Sequence, residues 1–445
     1  MNSTQQIKID ENLYSRQIGA FGLEAQGKLV KIKVFIHGIR GIGIETAKNL
    51  ILAGPNSVVI HDDSLVEMRD LGSNFYLNEQ DVGKKTRSEA SLPYLKELNL
   101  YVNIGHHKGE ITLDFLKHFD VVVFTDYYDL DELIRFNNFC RSQENPIGFI
   151  LCGSLGLYGF TFVDYGDKFR IFDGTGEDPR QTIIVNITKD ENGIVTVHEK
   201  KKHSFVNGDL ISFSEVEGME ELNGKTFPIK VLSPFRFSIG DTRNFSDYKK
   251  NGIATQVKPI EELSFKNLET SLLAPIPLGK TELNTADYAK DPNQLHLILN
   301  GIFIFYKKYK RLPLINDNND ANELIAIVKE IKEINIGLMD IEGKIKLHEI
   351  NENLIRNVAF YSQAQISPCV SFWGGIIAQE IVKFTGKFTP LHQWLHYDSF
   401  ESLPEEKVNQ KLMNSRYDDI IAIFGRETLE KLKTLKYFFK KIKMN

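Results

Sequence analysis

One short turn of the sequence contains three glycines, a residue type that lets a main chain approach a phosphate group closely. Gly38, Gly41 and Gly43 follow the apolar run Val34–Ile36 and precede a stretch with the apolar spacing of a helix. A second apolar run then ends at Asp62. A strand, a glycine-rich turn, a helix and a second strand followed by an acidic residue make the outline of a dinucleotide-binding half-fold.

One residue in this turn departs from the nucleotide pattern. The G-x-G-x-x-G fingerprint needs a bare backbone at its second glycine, so that the main chain can reach a pyrophosphate. Arg40 occupies that position, and we predict that its side chain fills the room that phosphates need. The stretch therefore predicts a Rossmann-like scaffold whose own nucleotide site is inactive.

The composition excludes several classes of function. A net charge of −5 gives no basic footprint for nucleic acid, and no apolar run approaches the ~20 residues of a membrane span. The three cysteines, Cys140, Cys152 and Cys369, have neither the number for a disulfide framework nor the spacing of metal ligands. We therefore expect no metal site, no nucleic-acid or membrane partner, and an intracellular, reducing compartment.

The pattern of predicted elements changes twice along the 445 residues. Strands alternate with helices up to about residue 170, which predicts an α/β domain. Short strands separated by Asn-Gly turns follow from Thr182 and predict a small β-barrel insertion. Helical spacing from about residue 264 predicts a helical bundle, after which strands return to the first domain. We further predict helices over 81–99 and 373–387 and helix N-caps at Asp320, with Glu323, and at Asn351.

The end of the chain repeats its beginning. The pairs Ser15-Arg16, Phe21-Gly22 and Lys28-Leu29 recur as Ser415-Arg416, Phe424-Gly425 and Lys431-Leu432, with three extra residues before the second Phe-Gly pair. The repeat predicts that a second α/β domain begins near residue 415 and is cut within its first strand, at 436–439. A fragment, a split subunit or a misread end would each explain this pattern.

Taken in order, these motifs resemble the N-terminal half of eukaryotic ubiquitin-activating enzymes. The matching segments run from about residue 13 to 439 and include YSRQIGAFG, GIRGIGIETAKNLILAG, NFSDYKKNGI, DANELI, GGIIAQEIVKFTGKFTPLHQWLHYDSFESLP and NSRYDDIIAIFG. The resemblance implies an inactive ThiF-type adenylation domain over 1–173 and 359–405. It also implies a first catalytic-cysteine half-domain (the β-barrel) over 174–263, a four-helix bundle over 264–358, and a linker with a truncated start of the active adenylation domain over 406–445.

The complete enzymes of this family adenylate the ubiquitin C-terminus with ATP and Mg and then form a cysteine thioester. The resemblance implies that this chain lacks the active adenylation site and the catalytic cysteine, so we expect no catalytic residue and no cofactor bound by this half. The implied partners are the active adenylation domain, ubiquitin and ubiquitin-conjugating enzymes, and the implied location is cytoplasm and nucleus. Arg16 is implied to reach across to the ATP phosphates of the active half.

Together with Arg40, three further departures from the active pattern support an inactive site. The Asp126 and Asp129 pair lacks the arginine that should follow it, because Asp131 stands there. The Asn-Arg-Gln run expected to contact nucleotide reads Gly72-Ser73-Asn74, and Thr86 replaces a lysine expected in the following helix. Three alternatives stay open: a separate regulatory subunit of a heterodimeric activating enzyme, a binding pseudoenzyme that needs no nucleotide, and a nicotinamide-dependent oxidoreductase, against which Arg40 counts.

Overall fold

The computed structural model describes residues 10–276, 278, 291–337, 343–345, 347–405 and 411–436. These residues form two compact units. The first unit takes those numbered up to 169, from 263 to 385 and from 390 onward, and the second takes 170–262 and 386–389. Within the described residues, no helix is both long and apolar enough to cross a membrane.

A seven-stranded sheet forms the centre of the first unit. Its strands are β1 Lys33–His37, β2 Ser57–His61, β3 Asn103–His106, β4 Val121–Thr125, β5 Gly148–Leu155, β6 Tyr158–Asp164 and, from the far end of the chain, β16 Trp394–Asp398. The order is β16-β6-β5-β4-β1-β2-β3. Strands β1 to β5 are parallel to one another, while β6 is antiparallel to both of its neighbours, β5 and β16. The predicted return of the chain to the first domain is confirmed by β16.

Alternate residues of each strand enter two different cores. On β1, Val34 and Ile36 point to one face of the sheet and Phe35 to the other, as the two-residue period of a strand requires. The first face is covered by helices α3 Gly41–Ala53 and α11 Ser367–Lys383. The opposite face is covered by α6 Leu130–Arg141 and by the helical bundle. Burial on both faces explains why the strand sequences are almost continuously apolar.

The remaining helices of this unit are short or belong to the bundle. The short ones are α1 Ser15–Phe21, α2 Leu23–Leu29, α4 Arg87–Lys96 and α5 Leu113–Leu116, and α12 spans Asp418–Thr434. The bundle consists of α7 Leu268–Leu273, α8 Pro292–Tyr309, α9 Asn318–Gly337 and α10 Glu352–Tyr361. These four helices confirm the predicted helical bundle.

The second unit contains a seven-stranded antiparallel sheet. Its strands are β8 Gln181–Ile187, β9 Ile194–Val197, β10 Leu210–Ser214, β11 Thr226–Pro228, β12 Lys230–Ser233, β13 Arg236–Ser238 and β14 Ile253–Val257; β7 Phe169–Ile171 and β15 Glu261–Leu263 lie where the chain passes between the units. The order is β11-β10-β14-β8-β9-β13-β12. Only Ile229 separates the two edge strands β11 and β12, so the sheet must curl until its edges meet around one core. This curl confirms the predicted β-barrel.

Several predicted boundaries are wrong for local reasons. The helix predicted over 81–99 is only Arg87–Lys96, because Thr86 and Glu89 form a capping box that starts a new helix there. Thr86 is therefore an N-cap and not a residue within the helix. The helix predicted from Trp373 begins at Ser367, with a proline in its first turn, where the missing N–H costs nothing.

The two predicted N-caps in the bundle had different outcomes. The Asn351 side chain accepts a hydrogen bond from Leu354 N at 3.1 Å, so this cap is confirmed. The cap of α9 is not Asp320 but Asp317, whose carboxylate accepts from Asp320 N at 2.8 Å. The Asp320 carboxylate instead pairs with Arg311, a partner that helix periodicity does not reveal.

Candidate functional site

Two of the three loop glycines are required by the fold itself. Gly38 has φ +84°, and a Cβ there would lie 2.3 Å from the carbonyl oxygen of Thr125. A Cβ at Gly43 would lie 1.7 Å from the carbonyl oxygen of Gly38. These two glycines therefore let the turn pack closely against the end of β4 and the start of α3, whether or not a nucleotide binds.

The third glycine has an amide that is already bound. Gly41 N donates to the side-chain oxygen of Gln365 at 3.0 Å, and Gln365 lies just before α11. In a nucleotide-binding loop the amides at a helix N-terminus hold a phosphate group. Here a side chain of the same chain occupies this donor. No sequence signal in the glycine turn pointed to Gln365, which is more than three hundred positions away.

Asp62 also has its oxygens occupied. One oxygen accepts from Ile39 N at 2.9 Å, and the other accepts from Ser64 N at 3.0 Å. Arg87 approaches the same carboxylate at 3.5 Å. The acidic residue that binds a ribose in a nucleotide-binding half-fold therefore ties the glycine turn to the end of β2.

Arg40 lies in an ionic network. Its Nε donates to Asp70 at 3.0 Å, one terminal nitrogen donates to the Gln363 carbonyl oxygen at 3.2 Å, and the other reaches Asp419 at 3.5 Å. Asp70 is fully buried and also pairs with Arg87 at 2.6 Å. The Arg40 side chain therefore has specific hydrogen-bond acceptors, and these hold its guanidinium against the wall of the site.

A cavity of about 520 Å³ lies at the carboxyl ends of β1, β2 and β4, beside this network. Ligands of open α/β sheets bind at this edge, where the strand order changes direction. Residues with charged groups of both signs line the cavity, together with Tyr128 and Ser154, whose hydroxyl groups are buried. Neither hydroxyl has a hydrogen-bond partner among the described residues. The walls can therefore hold a small polar molecule, while the phosphate-binding amide of the turn is occupied.

Two histidines in this cavity were missed by the sequence reasoning. The Nδ1 atoms of His37 and His61 lie 2.8 Å apart, and His61 Nε2 lies 2.9 Å from the Gly109 carbonyl oxygen. Burial lowers the pKa of His37 to about 4, with a further lowering from His61. A histidine at the end of each of two adjacent parallel strands was the available signal.

Of the other acidic candidates, Asp126 lines the same cavity, whereas Asp129 and Asp131 do not. The half-buried carboxylate of Asp126 accepts from Ser154 N and from the Gln365 side chain, and desolvation raises its pKa. Asp129 caps α6 and pairs with Lys310, while Asp131 pairs with Lys307. Within the part of the chain that the structure describes, no group of three or more His, Cys, Asp or Glu side chains could hold a metal ion.

The cysteines lack the environment of a nucleophile. Burial raises the pKa of Cys140 and of Cys152 well above the ordinary thiol value, and raises the pKa of Cys369 to about 11. A reactive cysteine needs a lowered pKa and access to solvent. These three thiols are therefore unsuited to forming a thioester.

The internal repeat is visible in the backbone. Gly22 separates α1 from α2 with φ 83° and ψ 157°, and Gly425 interrupts α12 with φ 83° and ψ 165°. Tyr14 precedes the first helix with φ −97° and ψ 12°, and Tyr417 precedes the second with φ −98° and ψ 0°. Both copies are therefore a helix of two turns, a strained glycine and a second helix.

This backbone match corrects the repeat alignment. Because both glycines follow a seven-residue helix, the copies align without a gap, and the prediction of three extra residues is wrong. Arg16 corresponds to Asp419, while Ser415 and Arg416 precede the second helix. The predicted strand at 436–439 falls almost wholly outside the described residues.

The two equivalent positions have opposite surroundings. Arg16 is exposed and makes no hydrogen bond or ion pair with any residue that the structure describes. Its helix is fixed by Gln17, which donates to the Ala53 carbonyl oxygen at 2.8 Å. Asp419 is buried and binds Arg40, Arg69 and the main-chain amide of Gln365.

Two family models match the chain: the ubiquitin-activating enzyme E1 FCCH domain at residues 190–258 and the ubiquitin-activating enzyme E1 four-helix bundle at residues 260–332. Ubiquitin-like modifier-activating enzyme 1 of Oryctolagus cuniculus is 40% identical over 439 residues, which are 97% of this chain and 40% of that protein. Ubiquitin-activating enzyme E1 2 of Arabidopsis thaliana is 39% identical over 443 residues, which are 98% of this chain and again 40% of that protein. The chain is homologous to ubiquitin-activating enzymes.

The chain spans 40% of the length of these ubiquitin-activating relatives. The first family model lies in the β-barrel unit, and the second covers the start of the bundle. Among solved structures, MccB of E. coli in a structure with succinimide aligns with 35% of this chain and 49% of its own, with a TM-score of 0.31 and 22% identity. The two family models and the identity to the ubiquitin-activating relatives confirm the resemblance stated from the motifs. The strands and helices described above confirm the α/β fold with a β-barrel insertion and a helical bundle.

Proposed function

We propose that this chain is the non-catalytic part of a ubiquitin-activating enzyme. The complete enzyme adenylates the ubiquitin C-terminus with ATP and Mg and transfers it to a cysteine thioester. This part binds no cofactor, and it positions an active adenylation domain that lies in the same polypeptide or in a separate subunit. Ubiquitin and ubiquitin-conjugating enzymes are partners of the assembly, which acts in the cytoplasm and nucleus.

One observation carries the non-catalytic assignment: the loop's own binding groups are used by the chain. The Gly41 amide is bound by Gln365, both oxygens of Asp62 accept main-chain amides, and the Arg40 guanidinium stands in the loop between acidic partners. A triphosphate would have to displace Gln365 and lie against Asp62. The residues present therefore do not fit ATP, and we assign no step of the reaction to this loop.

The role of Arg16 in trans is supported by the repeat. The side chain of its counterpart, Asp419, binds no donor of its own helix pair among the described residues and instead contacts the loop region of the first domain. If a second adenylation domain is related to the first by the same arrangement, Arg16 enters the loop region of that second domain. A guanidinium there can bind phosphate oxygens with two parallel hydrogen bonds. Arg16 thus contacts the ATP phosphates of the active site, although it lies outside the first domain's own loop.

The chain alone should neither bind ATP tightly nor exchange pyrophosphate. We expect calorimetric titration with Mg-ATP to show no micromolar binding, and we expect no ubiquitin-dependent ATP–pyrophosphate exchange. The variant Arg40→Gly should also fail to bind ATP, because Gln365 still holds the Gly41 amide. Micromolar ATP binding or pyrophosphate exchange by the chain would contradict the proposal. ATP binding by Arg40→Gly, but not by the wild type, would show that the Arg40 side chain is what prevents binding.

A further inference from the structure

We propose that the degenerate loop has become a docking face for the second copy of the repeated helix pair. The docking face consists of Arg40, Arg69, Leu71, Gly72 and Gln365, and its occupant is the segment 411–436, with Asp419 as the anchor. The inference rests on the proposed second adenylation domain, since that segment begins it. Asp419 is then a positioning residue for the active domain.

The anchor is a buried carboxylate that is fully satisfied by the face. The Asp419 carboxylate accepts from Arg69 Nε at 3.1 Å and also from a terminal nitrogen of Arg69. It accepts from Gln365 N at 2.8 Å and lies 3.5 Å from a terminal nitrogen of Arg40. A buried charge is tolerated only when it is paired and hydrogen-bonded. Every one of these donors belongs to the face and none to the segment.

Gly72 supplies a second, independent feature of the face. A Cβ at this position would lie 2.4 Å from the main-chain oxygen of Arg416. The Arg416 side chain donates to the Leu71 carbonyl oxygen at 2.8 Å. The backbone of the segment therefore lies directly on the backbone of the short 3₁₀ turn Met68–Gly72, an approach that only glycine permits.

The charges at this contact are the inverse of those at a working nucleotide loop. A working loop holds anionic phosphates, and the residue that enters from the other copy is Arg16, a cation. This loop presents the cations Arg40 and Arg69, and the residue that enters is the anion Asp419. Arg40 therefore does more than exclude phosphate, because it provides half of the charge that receives Asp419. The inversion also prevents the two helix pairs from exchanging sites, since Arg16 in this loop would face two guanidiniums.

Hydrogen–deuterium exchange of the full chain tests the docking face. Asp419→Ala should increase the exchange rate of the α12 amides by at least about tenfold, because the segment loses its anchor. Gly72→Val should have a comparable effect from the other side of the contact. The double variant should be no worse than the worse single variant, since both remove the same docking. The amides of β4 and β5 should keep their protection and so show that the first domain remains folded.

Asp418→Asn is the matched control. This neighbouring carboxylate is equally buried, but it accepts from Met413 N, Asn414 N and the Ser415 hydroxyl, all within the segment. It should leave the exchange of residues 426–434 unchanged. Unchanged α12 exchange in Asp419→Ala, additive effects in the double variant, or an equal effect of Asp418→Asn would overturn the docking inference. None of these outcomes depends on nucleotide chemistry, so failure of the proposed function would appear separately, in ATP binding or pyrophosphate exchange.

Discussion

The two copies of the repeated helix pair share a backbone but differ at one equivalent position. Arg16 of the first copy is exposed and unpaired among the described residues, whereas Asp419 of the second copy is buried with several donors. The same helix geometry thus delivers a cation in one case and an anion in the other. Under the proposed function, the helix pair can carry either charge into a loop, and the receiving loop determines which charge is required.

Reversing the charge at Arg16 and at Asp419 should give the largest difference between the two copies. Asp419→Arg places a third guanidinium beside Arg40 and Arg69, and breaking a buried ion pair typically costs about 3–5 kcal/mol. We expect a loss of this size in the free energy of unfolding, measured with denaturant. Arg16→Asp is the matched change, and it should leave the free energy of unfolding of this chain unaltered. Equal losses for both variants would remove the distinction between the two copies.

A change at Arg16 should instead appear in catalysis by the complete enzyme. Arg16→Ala removes a charge-assisted contact to phosphate, and we expect adenylation to slow by roughly tenfold to a hundredfold. ATP–pyrophosphate exchange measures this step, and circular dichroism checks that the fold is intact. Arg16→Lys keeps the charge without the paired geometry and should recover part of the rate. Wild-type kinetics for Arg16→Ala would return this residue to an ordinary surface role.

The two strained glycines should respond alike, which would sharpen the structural equivalence of the copies. Gly22 and Gly425 have φ near 83° with ψ of 157° and 165°, a region that residues with a side chain rarely enter. Alanine at either position should cost about 1–3 kcal/mol in the free energy of unfolding. A Cβ at Gly22 meets no atom within 4 Å, so the cost there is conformational and not steric. A neutral effect at one glycine and a large effect at the other would show that the copies do not share this turn.

The architecture could be predicted from local patterns, because each pattern reports on a nearby segment. Apolar runs located the parallel strands, Asn-Gly turns located the barrel, and helical spacing located the bundle. The glycine turn was predicted, but the packing role of Gly38 and Gly43 was not, because the sequence reasoning assigned them to the approach of a phosphate. The partners of the loop were not predicted either, because Arg69 and Asp419 are 350 residues apart and Gly41 and Gln365 are 324 apart. Such pairs depend on the tertiary fold, which no local spacing reports.

The repeat shows how identity alone can mislead. The shared Ser-Arg pair suggested that Arg16 corresponds to Arg416, with an insertion before the Phe-Gly pair. The backbone shows that the helix and the glycine set the correspondence, so that Tyr14 corresponds to Tyr417 and Arg16 to Asp419. Matching by residue type could not find this correspondence, because the two equivalent residues carry opposite charges. Similarly, Asp320 has the residue type of a cap, but its pairing with Arg311 assigns it elsewhere.

The smallest expected effect is on the pH dependence of stability, in which the loop and the first helix pair should again differ. The glycine turn follows His37, whose pKa is lowered to about 4 by burial and by His61, against the opposing effects of Asp62 and Asp63. In the unfolded chain, His37 binds a proton once the pH falls below its ordinary pKa of 6.5. In the folded chain, it does so only when the pH approaches its lowered pKa of about 4. Folding therefore loses stability as the pH falls through this window. The segment Ser15–Leu29 contains no histidine and contributes nothing of this kind.

Replacing His37 should reduce this acid sensitivity. Denaturant unfolding at about pH 7 and about pH 5 should show a smaller loss of stability for His37→Asn than for the wild type. His296 of α8 provides a comparison, because burial lowers its pKa to about 4 in the bundle. His296→Asn should reduce the loss in the same direction. If His37→Asn kept the full acid sensitivity while His296→Asn reduced it, the acid-labile element would be the bundle and not the loop that receives Asp419.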